Sequence, residues 1–208
     1  MKITDIQKQK KEGRYNIYLD GEFAFGLYKE TIFNFGLRKN DELTEEKIKE
    51  IIREDEVAYG KKVAYNFLSY SPRSTKEVRT KLKSKNLKEE NIDEIIKYFT
   101  EHKFLDDELY AKSYIENQKI KKPSGKRSIM QKLAQKGIDK ETIGKVMSEN
   151  YDEETELSNG IALLEKYISK HKKIPTEKIR QKSYSYLLSR GFEYSLITEI
   201  MRSVLKSD

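Results

Sequence analysis

Polar and apolar positions fall into two regimes along this chain. In the first forty residues they alternate. Within "RYNIYLDGEFAFGLYK", Tyr15, Ile17 and Leu19 alternate with Asn16, Tyr18 and Asp20, the period-two pattern of a half-buried strand. Asp20-Gly21 then supplies the two-residue signal for a tight hairpin. The preceding "KITDIQKQ" is a third strand candidate, which would complete a small antiparallel sheet. Thr44 is a good N-cap for the run "EEKIKEIIREDE", with Ile48, Ile51 and Ile52 at helical spacing and Lys47 at the capping-box position. From about residue 57 onward the period is helical throughout.

The helical part repeats itself. "KLKSKNLKEENIDEIIKYF" from Lys81, "KLAQKGIDKETIGKVMSEN" from Lys132 and "YLLSRGFEYSLITEIMRSV" from Tyr186 align without a gap, at offsets of 51 and then 54 residues. Leu82, Leu133 and Leu187 superpose. So do Asn86, Gly137 and Gly191, then Leu87, Ile138 and Phe192. Ile92, Ile143 and Ile197 follow, then Ile95, Val146 and Ile200. Asn and Gly are the residues that best tolerate the left-handed backbone just past a helix end, so this column predicts three helix C-termini. The apolar columns after it predict the buried stripe of the next helix.

The three prolines agree with that division. Pro72 and Pro123 each lie ten residues before the matching leucine, and Pro175 lies twelve before. Each falls where one helix must stop and another start. Further amphipathic stretches at Val57–Tyr70, Leu109–Ile120 and Leu157–Ile174 give three helices to each repeat. The predicted fold is mainly α: three tandem three-helix repeats stacked into an elongated, curved array, after a small N-terminal antiparallel sheet and a helix. The expected divisions are 1–57, 58–105, 106–152 and 153–208. The third repeat departs most, with Ser183 where Val78 and Ile129 stand.

Composition narrows the class. Of 208 residues 36% are hydrophobic and 37% charged, so several small cores are expected, and 11% aromatics argue against disorder. There is no cysteine, which removes disulfides, thiolate nucleophiles and Cys-based zinc sites and fits a reducing compartment. "MKITDIQKQK" lacks the apolar stretch of a signal peptide, and no apolar run approaches the ~20 residues that span a bilayer. A cytoplasmic monomer without membrane contact is expected.

Charge is uneven. Residues 1–57 balance at −2 and residues 58–208 at +9. Three windows are strongly basic: Arg73–Lys88, Lys119–Lys140 and Lys166–Arg190 each hold seven or eight Lys/Arg against one acid. Glu89–Leu109 holds eight acids against two lysines. Positive charge thus recurs around each middle helix, and in a repeat array the clusters would line up. Such a stripe suits a polyanion, whose phosphates Lys and Arg neutralise, or an acidic protein surface. The candidate contact residues are Arg73, Arg79, Lys83, Lys85, Lys119, Lys121, Lys122, Lys126, Arg127, Lys132, Lys172, Lys173, Arg180 and Lys182. Solvated helix faces are the bland alternative for any one run. Tyr184 and Tyr186 are stacking candidates, although their helical spacing favours packing.

Catalytic chemistry finds little to use. His102 and His171 sit in different repeats. Asp106, Asp107 and Glu108 are a conceivable metal cluster, better explained as partners of a helix start. "KKPSGKRS" imitates a phosphate loop but has Ile120 where the first glycine of that motif belongs and Arg127 where Ser or Thr should follow the lysine. No catalytic residue, metal or cofactor is expected.

"VAYNFLSYSPRSTKEVRTKL", "FLDDELYAKSYIENQ" and "GKRSIMQKLAQKGI" resemble the RecX family, bacterial regulators of the RecA recombinase. The hairpin and "IREDEVAYGKKVAYNFLSY" resemble the N-terminal extension of its Gram-positive-type members, so the resemblance runs along essentially the whole chain. It implies a non-enzymatic, modular three-helix-repeat protein. Such a protein would bind the RecA–DNA filament and modulate, mainly inhibit, its ATPase and strand exchange. Direct contact with single- or double-stranded DNA is a further expectation. The competing reading is a general nucleic-acid-binding protein without RecA specificity.

Overall fold

The structure is a computed structural model that describes residues 1–10, 12–121, 123–171 and 175–205. It opens with a three-stranded antiparallel sheet in the order β1-β2-β3: β1 (Ile3–Lys8), β2 (Arg14–Leu19) and β3 (Glu22–Tyr28). Asp20 and Gly21 both adopt positive φ, 47° and 95°, in the turn that joins β2 to β3. A short α1 (Lys29–Asn34) follows. Ile3, Ile17, Leu19 and Leu27 of the sheet pack with Leu37, Leu43 and Ile51 in one core.

Next comes α2 (Glu45–Tyr70), a single helix of 26 residues. Thr44 caps it as expected, accepting the Lys47 N–H at 3.2 Å. The expected N-terminal helix and the first helix of the repeat region are therefore one element. No proline interrupts Glu45–Tyr70, and Gly60 alone does not stop a helix whose neighbours continue it. The remaining helices are α3 (Thr75–Lys83), α4 (Glu89–Glu101), α5 (Asp107–Lys121), α6 (Lys126–Gln135), α7 (Lys140–Asn150), α8 (Glu153–Lys170), α9 (Thr176–Ser189) and α10 (Tyr194–Val204). They form the three-helix sets α2-α3-α4, α5-α6-α7 and α8-α9-α10.

The chain divides into two compact units. One comprises Met1–Pro72 with Glu77–Leu105, the other Arg73–Lys76 with Asp106–Asp208. The first holds the sheet core and the core of α2-α3-α4. The second holds the cores of the other two helix sets. No helix among the described residues is long and apolar enough to cross a membrane.

The repeat columns behave as the alignment requires. Asn86, Gly137 and Gly191 all lie at positive φ: 60°, 86° and 84°. At Gly137 the Schellman pair is complete, with Gly137 N–H to Ala134 O at 2.9 Å and Ile138 N–H to Leu133 O at 3.1 Å. The same pair recurs at Gly191 and Phe192. Ile92, Ile143, Ile197, Ile95, Val146 and Ile200 are all buried.

Inside each set the first helix meets the third at a small residue. A Cβ at Gly60 would stand 2.3 Å from Ile95 Cδ1, and one at Gly160 would stand 2.2 Å from Ile200 Cδ1 and 3.1 Å from the Phe192 ring. Ala111 lies 51 residues after Gly60, and its set has Val146 in place of isoleucine in the same core. Glycine pairs with isoleucine and alanine with valine, so the volume is conserved. At the departing position of the third set, Ser183 is fully buried and its hydroxyl has no partner among the described residues.

Gly160→Ala is expected to lose about 1–2 kcal/mol, because crowding outweighs the helix propensity that alanine gains. Adding Ile200→Val should restore most of that loss. Urea melts of the single and double variants measure both; an unrescued double variant would refute the volume argument.

Candidate functional site

Many of the candidate cations lie on the middle helices α3, α6 and α9, with Lys119 and Lys121 on α5, and two kinds of contact position the starts and ends of these elements. The first kind is a carboxylate carried by the first helix of each set, buried at Asp55 and Glu156 and half-buried at Asp107. Asp55 of α2, 5% exposed, accepts the Tyr28 N–H at 2.7 Å and the Thr31 hydroxyl at 2.6 Å. The Arg14 guanidinium lies 3.8 Å from it. Asp107 of α5 accepts the N–H of Thr75, the opening residue of α3, at 2.8 Å. Glu156 of α8, 4% exposed, accepts the N–H of Lys126, the opening residue of α6, at 2.7 Å. Thr75 and Lys126 are 51 residues apart, so the repeat offset governs these bonds as well as the cores.

The second kind closes on a middle helix's C-terminus. Ser74 Oγ donates to Lys136 O at 2.7 Å, and Gly125 N–H donates to Arg190 O at 3.0 Å. Positions 74 and 125 correspond, and so do 136 and 190. A helix N-terminus with bare N–H groups thus meets a C-terminus with bare carbonyls, and their dipoles attract. The fit at the second of these is close: a Cβ on Gly125 would stand 2.3 Å from Gly191 O. Buried Ser124 adds a further contact, its carbonyl accepting from Tyr151 Oη at 2.8 Å. Burial pushes the Tyr151 hydroxyl up to about 12. The stretch "KKPSGKRS" is therefore a repeat junction, with Gly125 as N-cap of α6.

Burial has an electrostatic cost at the two later carboxylates. It pushes Asp107 above the ordinary aspartate value, against the hydrogen bonds from Thr75, with Asp106 and Asp139 nearby adding to the effect. It does the same to Glu156, opposed by the Lys126 N–H and charge. The neighbours of Asp107 act differently. Asp106 accepts the Leu109 N–H of its own helix at 2.9 Å, and Glu108 binds Lys112 and Lys145.

The candidate cations separate into two groups. Arg79 is held by Glu89 and Asp93 at 2.6 Å each, which raises its pKa, and Lys83 lies 3.0 Å from Glu89. Lys119 pairs with Glu116 at 2.7 Å, and Lys126 Nζ sits 3.8 Å from Glu156. These charges are answered within the fold. By contrast Lys85, Lys121, Arg127, Lys132, Arg180 and Lys182 are exposed and make no ion pair among the described residues. Arg73 is half-buried. Lys122, Lys172 and Lys173 lie outside the described residues. Arg127 and Lys132 share α6, and Arg180 and Lys182 share α9.

Tyr184 and Tyr186 both pack against the α8-α9-α10 core. The Tyr186 ring stacks on Tyr167 at 4.2 Å between centroids, and Tyr184 meets Tyr194 edge-on. His102 and His171 each bond the carbonyl of a tyrosine four residues earlier. Lys61 and Lys62 of α2 make no basic run, because they are the only two cations between residues 57 and 70. The spacing Tyr59, Lys62, Tyr65 along one helix face was the available signal.

Substitutions at Glu156 separate its acceptor role from its charge. Glu156→Ala is expected to lose about 1–2 kcal/mol, since the Lys126 N–H forfeits its acceptor. Glu156→Gln keeps an acceptor oxygen and should match or exceed the parent at pH 7. The folded value of Glu156 lies above its unfolded one, so the native state holds the proton more tightly. Its contribution to stability is therefore fullest below the ordinary glutamate value of 4.5 and is lost as pH rises through the folded value. The advantage of Gln should accordingly shrink on acidification. Thermal melts across pH 4–8 test this, and a Gln variant as unstable as the Ala variant would contradict it.

Comparison with known proteins gives one consistent result. Family models described as "Regulatory protein RecX N-terminal domain" and the first, second and third three-helix domains of RecX match residues 1–44, 61–99, 106–147 and 154–201. The "Regulatory protein RecX" of Leuconostoc mesenteroides is 36% identical over 205 residues, covering 98% of this chain and 76% of its own. That of Clostridioides difficile is 32% identical over 207 residues, covering 99% and 97%. A crystal structure of regulatory protein RecX superposes with a TM-score of 0.70 at 30% identity, over 99% of each chain.

Proposed function

The chain belongs to the RecX family of regulatory proteins, and from that premise we propose that it is a non-enzymatic regulator of RecA. It binds the RecA–DNA filament, bridges protomers and mainly inhibits ATPase and strand exchange. The observation that carries the reading is the division among the cations. Arg79, Lys83 and Lys126 are held by carboxylates of their own fold, whereas Arg127 and Lys132 of α6 and Arg180 and Lys182 of α9 are exposed and unpaired among the described residues. Exposed cations on equivalent middle helices suit a surface that repeats along its own axis and carries phosphates.

The mechanism is differential binding. A ligand shifts a filament between states only as far as its affinity for those states differs. Two or more contacts on one chain also raise the local concentration of the second contact, so bridging strengthens attachment without new chemistry. Lys126 serves this interface less directly than Arg127, because its backbone and side chain both engage Glu156.

RecA ATPase on single-stranded DNA, measured with this protein titrated in at two salt concentrations, tests the proposal. Inhibition by the parent protein is expected, and Arg127→Glu with Lys132→Glu should raise the half-inhibitory concentration about tenfold or more. Inhibition should weaken as salt rises. No effect of the parent on ATPase would overturn the function, and undiminished inhibition by the double variant would overturn the surface. Equal affinity and salt slope for bare strand and filament would favour a general nucleic-acid binder.

A further inference from the structure

The first unit carries a second surface of different character. Lys61, Lys62, Tyr65 and Asn66 of α2 line a groove of about 290 Å³ together with Tyr98 and Phe99 of α4 and Phe104 just beyond it. Among the described residues no carboxylate lines this groove. Tyr65 is 58% exposed and Phe104 51% exposed, and their rings meet edge-on with centroids 6.1 Å apart. The contact covers part of one ring face, and the exposure of both side chains leaves the remaining faces open to solvent. Lys61 Nζ lies 4.2 Å from the Tyr98 centroid, so the Tyr98 face is already occupied by a cation.

The surface continues along α2. Lys62 also borders a smaller cavity of about 150 Å³ that includes Tyr28 and Tyr59, whose rings stack at 5.5 Å with an interplanar angle of 16°. The Arg14 guanidinium lies 4.4 Å from the Tyr28 centroid. Tyr59, Lys62 and Tyr65 sit three residues apart on the helix, so aromatic and cationic groups alternate over about 9 Å of helix axis. One acid, Glu30, borders this smaller cavity.

We propose that this α2–α4 groove binds single-stranded nucleic acid by base stacking, with Tyr65 and Phe104 as the platform and Lys61 and Lys62 beside them as phosphate contacts. The occupant must offer flat apolar faces and negative charge together. A single strand does, because every base has a π-face and every linkage a phosphate. An acidic peptide supplies the charge but leaves two half-exposed rings without a matching face. Duplex DNA hides its bases in the stack and would meet only the lysines. None of the middle-helix cations takes part, so the site stands apart from the proposed filament surface.

The experiment uses the full chain, no recombinase, and a fluorescein-labelled oligothymidine of about twelve nucleotides, with binding read by anisotropy over a salt series. Tyr65→Ala and Phe104→Ala should each weaken binding about five- to hundredfold while leaving the salt slope unchanged. Lys62→Ala should reduce the slope by about 0.7. Both rings are largely exposed, so their removal leaves the fold intact, which circular dichroism checks. A labelled poly-glutamate of similar length should not distinguish Tyr65→Ala from the parent.

Three results would overturn the proposal. They are no strand binding by the parent protein at low salt, strand affinity within twofold of the parent in the double ring variant, or an equal loss of poly-glutamate binding, which would assign the groove to an acidic protein. Because RecA is absent from the assay, its outcome is independent of whether the chain regulates that recombinase.

Discussion

A helix that begins inside a protein brings N–H groups that have no partner in their own helix, and a repeat protein must bury some of them wherever one repeat meets the next. Here a carboxylate from the first helix of a three-helix set answers that need. Glu156 accepts from the first residue of α6, and Asp107 from the first residue of α3. Asp55 does the equivalent for the sheet, accepting from the residue that ends β3. Each acceptor is a negative charge placed where backbone dipoles are positive. Burial raises the pKa of both Asp107 and Glu156, so desolvation opposes what the hydrogen bonds contribute.

Two other features accompany that constraint. The first helix also approaches the third helix of its own set closely at a small residue, Gly60 in the first set and Gly160 in the third. The chain must also turn sharply into each middle helix. Pro123 and Gly125 do this at the α6 junction, where the Gly125 N–H reaches the Arg190 carbonyl. A stretch that looks like a nucleotide loop is thereby committed to holding two repeats together.

What the sequence made legible is local. The hairpin at Asp20-Gly21, the Thr44 cap and the left-handed column Asn86, Gly137 and Gly191 depend on a few neighbouring residues, and the structure has all three. The apolar columns were readable because burial imposes a period. The continuity of α2 was harder, since a change of amphipathic partner at residue 57, from sheet core to helix core, reads as a boundary although the backbone has no reason to break. Long-range pairing was not readable. Nothing local tells that Arg79 meets Asp93 across two helices, or that Asp107 turns away from its own helix to Thr75. Sequence counts therefore do not separate cations paired within the fold, such as Arg79, from those unpaired among the described residues, such as Arg127. Lys61 and Lys62 escape notice for a different reason: two lysines in a stretch without other charges form no run, and the aromatic rings of α4 that they meet are distant in sequence.

The carboxylate-to-amide bonds at Thr75 and Lys126 fix where α3 and α6 begin. Amide hydrogen exchange of the full chain, followed by NMR at Thr75 and Lys126, measures them most directly. Residues at the start of a helix have no intrahelical acceptor and exchange rapidly when solvent reaches them. The structure predicts that these two amides are protected to the degree of the helix interiors beside them, and that Glu156→Ala abolishes the protection at Lys126 alone. Rapid exchange at both sites in the parent protein would contradict the account.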